Sequence, residues 1–161
     1  MPRSLPSARI NRVALIQPPV GGEPSDISPP IGLLVLAAIL KAEGRSPSLI
    51  DLNLLHKQGR IDPARSLRGQ YKAALPARGE VDLVGITTWS YNFALCVEIA
   101  EEVRKRAKDV PIVIGGPHAT FVAREALETF AVFDYAVRDE GDETFPRLIA
   151  AIERGADPVV L

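Results

Sequence analysis

Three short segments of this sequence carry residue types that chemistry needs: Thr87-Thr-Trp-Ser-Tyr-Asn92, Gly115-Gly-Pro-His-Ala-Thr120 and Arg138-Asp-Glu-Gly-Asp-Glu-Thr144. In the first, hydroxyls and an amide ahead of a helix can hold a phosphate or an amide-bearing ligand through local donors. Helix capping by Ser90 or Asn92 is the plainer account, and both can hold. Trp89, the only tryptophan, is either a stacking platform or rim packing. In the second segment, Gly115 and Gly116 let backbone approach a flat ligand with no Cβ atoms in the way, and they permit positive φ. A tight turn before Pro117 would use the same two residues. His118 is a ligand contact or an exposed loop histidine. No histidine or carboxylate stands at chelating spacing from it, so no metal site is assigned. The third segment packs four carboxylates into seven residues. Acid–base work is one use for them; favouring the positive end of a following helix is the commoner one. With no nucleophile or base paired to them, no catalytic residue is assigned.

Composition narrows the classes. A chain of 161 residues with 47% hydrophobic content suits one domain with one sizeable core. Nineteen basic against 20 acidic residues leave a formal charge of −1, so no basic face for nucleic acid is indicated. Cys96 stands alone, which excludes an internal disulfide framework and any cysteine-ligated zinc or iron–sulfur site made by this chain itself. No signal-peptide pattern follows Met1, and the apolar run at 31–40 is too short to span a membrane. The expected location is cytoplasmic.

The elements that position the three segments alternate. Arg12-Val-Ala-Leu-Ile-Gln17 reads as a central parallel strand, apolar on both faces and stopped by Pro18-Pro19. The stretch 18–30, with five prolines and two glycines, is a long loop. Ser28 is the expected N-cap of a helix running to about Glu43, with Gly44 its stop. Ser48-Leu-Ile-Asp-Leu52 is the second strand. The polar stretch 53–80 holds one candidate helix over 63–75. Val81 to Thr88 is the third strand, followed by an amphipathic helix from Phe93. Pro111 to Ile114 is the fourth strand, 124–130 a short helix, Tyr135 to Arg138 the fifth strand, and 143–154 the last helix. Alternation of this kind predicts an α/β fold: a doubly wound, flavodoxin-like or Rossmann-like parallel sheet of five strands, order 2-1-3-4-5, with helices on both faces. Ligands bind such sheets beyond the carboxyl ends of the strands, where the order reverses. Five segments fall on that edge, the three above together with Gln17 to Ser28 and Asp51 to Leu54, and function is to be sought there.

The same edge discriminates among functions. A phosphoryl-accepting receiver domain needs acidic residues after the first strand, an aspartate ending the third and a lysine ending the fourth. Here Gln17-Pro18, Thr87-Thr88 and Gly115-Gly116 stand there. No dinucleotide fingerprint, P-loop or nucleophile elbow is present; Asp51, where a ribose-binding acid would sit, is a weak signal alone. A flavodoxin-like regulatory or protein-interaction domain without a cofactor stays open, because every loop has a structural account.

Three longer stretches, taken in order, resemble a known family. They are Pro30-Ile-Gly-Leu-Leu-Val-Leu-Ala-Ala-Ile-Leu-Lys-Ala-Glu-Gly44 with a strand ending at Asp51; Asp82-Leu-Val-Gly-Ile86 with its polar loop and helix; and Pro111 to Thr120 with Asp134-Tyr-Ala-Val137 and Glu140-Gly-Asp-Glu-Thr144. Together they resemble the N-terminal cobalamin-binding domain of B12-dependent radical S-adenosylmethionine enzymes. That resemblance implies a cofactor, cobalamin, bound by Thr87, Thr88, Trp89, Ser90, Tyr91, Gly115, Gly116, Pro117, His118, Glu140 and Gly141, with the nucleotide tail descending between the first and third strands. Gln17-Pro-Pro-Val-Gly-Gly22 lacks the histidine that many other cobalamin domains carry after the first strand, so the implied cobalt site is free of imidazole from that position. Asp139 stands where the family usually has glycine. The resemblance further implies a parent enzyme, a methyltransferase, in which the iron–sulfur cluster and S-adenosylmethionine belong to a partner domain further along the chain. The implied domain spans 12–156, after a tail at 1–11; 157–161 reads as the start of a linker.

Overall fold

The computed structural model describes residues 9–19, 28–61 and 71–156. Five strands form one parallel sheet: β1 (Arg12–Gln17), β2 (Ser46–Asp51), β3 (Leu83–Thr87), β4 (Ile112–Gly115) and β5 (Tyr135–Ala136). Their order is β2-β1-β3-β4-β5 and every pairing is parallel, as the alternation of elements predicts. Among the described residues the α-helices are α1 (Ile31–Ala42), α2 (Leu52–Lys57), α3 (Phe93–Arg106), α4 (Pro117–Thr129) and α5 (Gly141–Glu153). The period of two along the central strands divides the core in two. Ala14, Ile16, Val84, Ile86, Ile112 and Ile114 face one cluster, shared with α3 and α4. Val13, Leu15, Leu83 and Val113 face the other, shared with α1 and α5. Two-sided burial is why these strands are apolar throughout.

Arginine–carboxylate pairs fasten the amino edge. Arg12 pairs with Asp82, which also accepts the N–H groups of Asn11 and Arg12. Arg45 pairs with Glu153 at 2.7 Å. Hydrogen bonds from the two guanidinium groups hold both carboxyls below their ordinary range.

The structure departs from the sequence expectation in several places. Ser28 does not cap α1; Pro30 occupies the cap position and no side chain makes a cap hydrogen bond. Pro30 satisfies φ for a helix start without needing an N–H. Helix α2 follows β2 directly, because Asp51 accepts the Leu54 N–H at 3.0 Å and caps it. Helix α4 begins at Pro117, well before 124, with a non-helical residue at Val122 that kinks it. His118 and Thr120 are therefore helical residues. The candidate helix over 63–75 lies largely outside the described residues; its described end contains a 3₁₀ turn, Lys72–Ala74. Residues 157–161 and most of the 1–11 tail also lie outside them. Among the described residues no helix is long and apolar enough to cross a membrane.

Candidate functional site

The carboxyl edge is organised around one buried hydroxyl. Thr88 is fully buried. Its N–H and Oγ1–H both donate to Gly115 O, at 2.8 and 2.9 Å. Its Oγ1 accepts the Ala119 N–H at 3.2 Å, and its carbonyl accepts the His118 N–H at 3.2 Å. One residue thus joins the end of β3, the end of β4 and the first turn of α4. Gly116 closes this knot with φ +92°; a Cβ there would stand 2.7 Å from Thr87 Oγ1 and 3.0 Å from Thr88 O.

Three buried amides hold the start of the β1 loop against this edge. Gln17 and Asn53 donate to Pro18 O at 3.4 and 3.2 Å. Asn92 donates to Pro19 O at 3.2 Å, and its Oδ1 accepts the Trp89 N–H at 3.0 Å. Proline offers no N–H, so the loop is held through its carbonyls. Trp89 is 42% exposed and stacks on Tyr91 with ring centroids 6.1 Å apart.

Between these walls lies a cleft of about 1060 Å³. It runs from the strand ends down the α1 and α5 side of the sheet, where Leu15, Val113, Val137 and Phe145 form its floor. Glycines keep it open: a Cβ on Gly32 would meet nothing within 4 Å, and one on Gly115 nothing nearer than 3.8 Å. Gly85, in mid-strand, lets Leu15 and Phe145 close in beneath it, since a Cβ there would lie 3.2 Å from Leu15 Cδ2 and 3.4 Å from Phe145 Cζ.

Of the residues expected at the site, Thr87, Trp89, Tyr91, Gly115, Gly116, Pro117, Glu140 and Gly141 line the cleft. Thr88, Ser90 and His118 are placed elsewhere. Thr88 is the buried tie just described. Ser90 Oγ and His118 Nδ1 meet at 3.1 Å, and the His118 ring packs on Phe93 at 4.3 Å, within an aromatic group that includes Phe130 and Phe133. Gln17 and Asn53 line it too, from the segments at the ends of β1 and β2 that sequence reading places on this edge; the lining it missed includes Gly32, Leu36, Val137 and Phe145. Only Gly85, a lone glycine among β-branched strand residues, carried a visible signal of close approach. Cys96 is no nucleophile: burial pushes its thiol up to about 12. Among the described residues no group of His, Cys, Asp or Glu is arranged to hold a metal ion.

Asp139 sits on the rim with φ +55°, its N–H donating to Thr120 Oγ1 at 3.0 Å. Aspartate tolerates that conformation better than branched residues do. An Asp139→Gly change should raise stability by up to about 1 kcal/mol, and Asp139→Val should lower it by about 1–2 kcal/mol, read from urea midpoints.

A family model described as "B12 binding domain" matches residues 19–149. Among curated proteins, an uncharacterized methyltransferase of Pyrococcus horikoshii is 26% identical over 154 residues, covering 92% of this chain and 31% of that protein. An anaerobic magnesium-protoporphyrin IX monomethyl ester cyclase of Rubrivivax gelatinosus is 28% identical over 147 residues, covering 89% and 25%. Among solved structures, the radical S-adenosylmethionine methyltransferase TsrM of Kitasatospora setae, with cobalamin and an iron–sulfur cluster bound, superposes with a TM-score of 0.64 at 24% identity, over 92% of this chain and 26% of that one. The chain thus spans between a quarter and a third of the length of these relatives.

Proposed function

The chain belongs to the family of B12-binding domains, and on that premise we propose that it is the cobalamin-binding module of a B12-dependent radical S-adenosylmethionine enzyme, a methyltransferase. The catalytic domain, with its iron–sulfur cluster and S-adenosylmethionine, would lie outside these 161 residues. The observation that carries the reading is the cleft at the carboxyl edge, which lies largely within the matched residues.

The residues present fit the cofactor. A broad cleft with an apolar floor, kept open by Gly32 and Gly115, suits a large flat ring with a tail. Cobalamin supplies, when bound, a cobalt centre that accepts and passes on a methyl group. The chain's part is to hold and shield it. Thr87 and the backbone at Gly115 and Gly116 would bear on the ring, with Trp89 and Tyr91 as its apolar side wall. Leu15, Val113 and Phe145 would exclude water from the deeper part of the cleft. Apolar side chains also stand exposed around the mouth, Ile31 and Val35 on α1 together with Tyr91, which suits a face that a further domain covers.

Purified chain mixed with hydroxocobalamin and desalted is expected to elute with corrin absorbance. Folded protein eluting without it would overturn the assignment. The wider proposal is checked in the coding sequence beyond Leu161, which should contain Cys-x-x-x-Cys-x-x-Cys.

A further inference from the structure

The described lining of the cleft presents hydrogen-bond acceptors and negative charge and no cation. Asp139, Glu140 and Asp142 stand on its rim, and its lining among the described residues includes no Lys, Arg or His. Arg138, the cation next to Asp139 in the chain, is exposed, outside the lining, and donates from Nε to Thr120 O at 3.1 Å.

A second acceptor lies deep in the cleft. Gln17 is only 8% exposed and lines it. Its Nε2 points to Pro18 O at 3.4 Å, which fixes the amide, because a flip would set oxygen against oxygen. Oε1 is thereby left on the other side, and no donor to it is found among the described residues.

Such a lining favours a ligand whose periphery offers N–H donors without negative charge. A primary amide can donate two hydrogen bonds to these oxygens. A carboxylate in the same place only accepts, and it is repelled by the rim. Resting on the assignment of cobalamin to this cleft, we propose that the lining selects corrinoids whose peripheral acid groups are fully amidated and rejects those carrying free carboxylates.

The experiment titrates the native chain with hydroxocobalamin and with its mono- and dicarboxylates, made by hydrolysing peripheral amides so that the nucleotide tail is unchanged. Quenching of Trp89 emission and the corrin spectrum report binding. At low salt the dicarboxylate should bind at least about tenfold more weakly than hydroxocobalamin, and the gap should shrink at about 500 mM salt, where screening shortens the reach of the rim charges. The Glu140→Gln/Asp142→Asn protein should narrow the same gap at low salt. Equal affinity for amide and carboxylate forms, or a gap indifferent to both salt and the double substitution, overturns the inference and leaves the cobalamin assignment standing. Failure of hydroxocobalamin itself to bind folded protein overturns that assignment instead.

Discussion

A Gly116→Ala protein is expected to melt about 6–12 °C below the native chain and to lose cobalamin on desalting. Two penalties combine at this residue. Its φ of +92° and ψ of −177° lie in a region essentially reserved for glycine, at a cost of about 1–3 kcal/mol for any other residue. The added Cβ would also stand 2.7 Å from Thr87 Oγ1, 3.0 Å from Thr88 O and 3.1 Å from Thr88 N. Thr87 can turn its hydroxyl away, but the Thr88 backbone cannot retreat. It is tied to Gly115 O on one side and to the His118 N–H on the other. Relief must therefore come from moving α4 or the end of β3, and both are walls of the cleft. The sum is about 3 kcal/mol. Gly115→Ala is the control for stability: its Cβ would meet nothing closer than 3.8 Å, so its melting temperature should stay within about 3 °C of native. Calorimetry on the two variants side by side decides the matter, and equal melting of both would refute the strain argument.

The sheet was legible in the sequence because a strand buried on both faces must be apolar at consecutive positions. β1 begins and ends where the apolar run does, at Arg12 and Gln17. The loop segments at the edge were legible for a related reason, since glycines, prolines and hydroxyls gather where strands stop. Side-chain direction was not. Thr87 and Thr88 are neighbours, yet one lines the cleft and the other is sealed beneath α4, and only the pleat together with the crossing helix decides which. His118 looked like a loop residue until Gly116 and Pro117 started a helix at its doorstep, turning the ring onto Phe93. The floor of the cleft was invisible for a different reason. Leu15, Val113, Val137 and Phe145 lie far apart in the chain and have the composition of any core residue. What makes them a floor is the space above them, and no local pattern encodes a space.

Arg104→Ala should lower stability by about 2–4 kcal/mol while leaving cobalamin binding intact below the melting transition. The guanidinium lies at the carboxyl end of α3, on the opposite edge of the sheet from the cleft. It donates to Lys108 O at 2.8 Å, Val110 O at 2.7 Å and Val132 O at 3.0 Å, and it pairs with Asp134, whose side chain is 16% exposed. A single planar fork therefore closes the turns that lead into β4 and β5 and complements the negative end of the helix. Alanine leaves three carbonyls without that donor and strands a half-buried carboxylate. Much of the loss should come from the stranded charge, because Asp134 Oδ2 retains only the Ile112 N–H, at 2.8 Å, of the contacts described for it. Asparagine at 134 can keep that bond through its amide oxygen and carries no charge. The double variant Arg104→Ala/Asp134→Asn should accordingly be more stable than Arg104→Ala alone by about 1 kcal/mol, measured by urea denaturation. If the second substitution instead adds a further loss, the weight of the interaction lies in the carbonyl contacts and not in the ion pair.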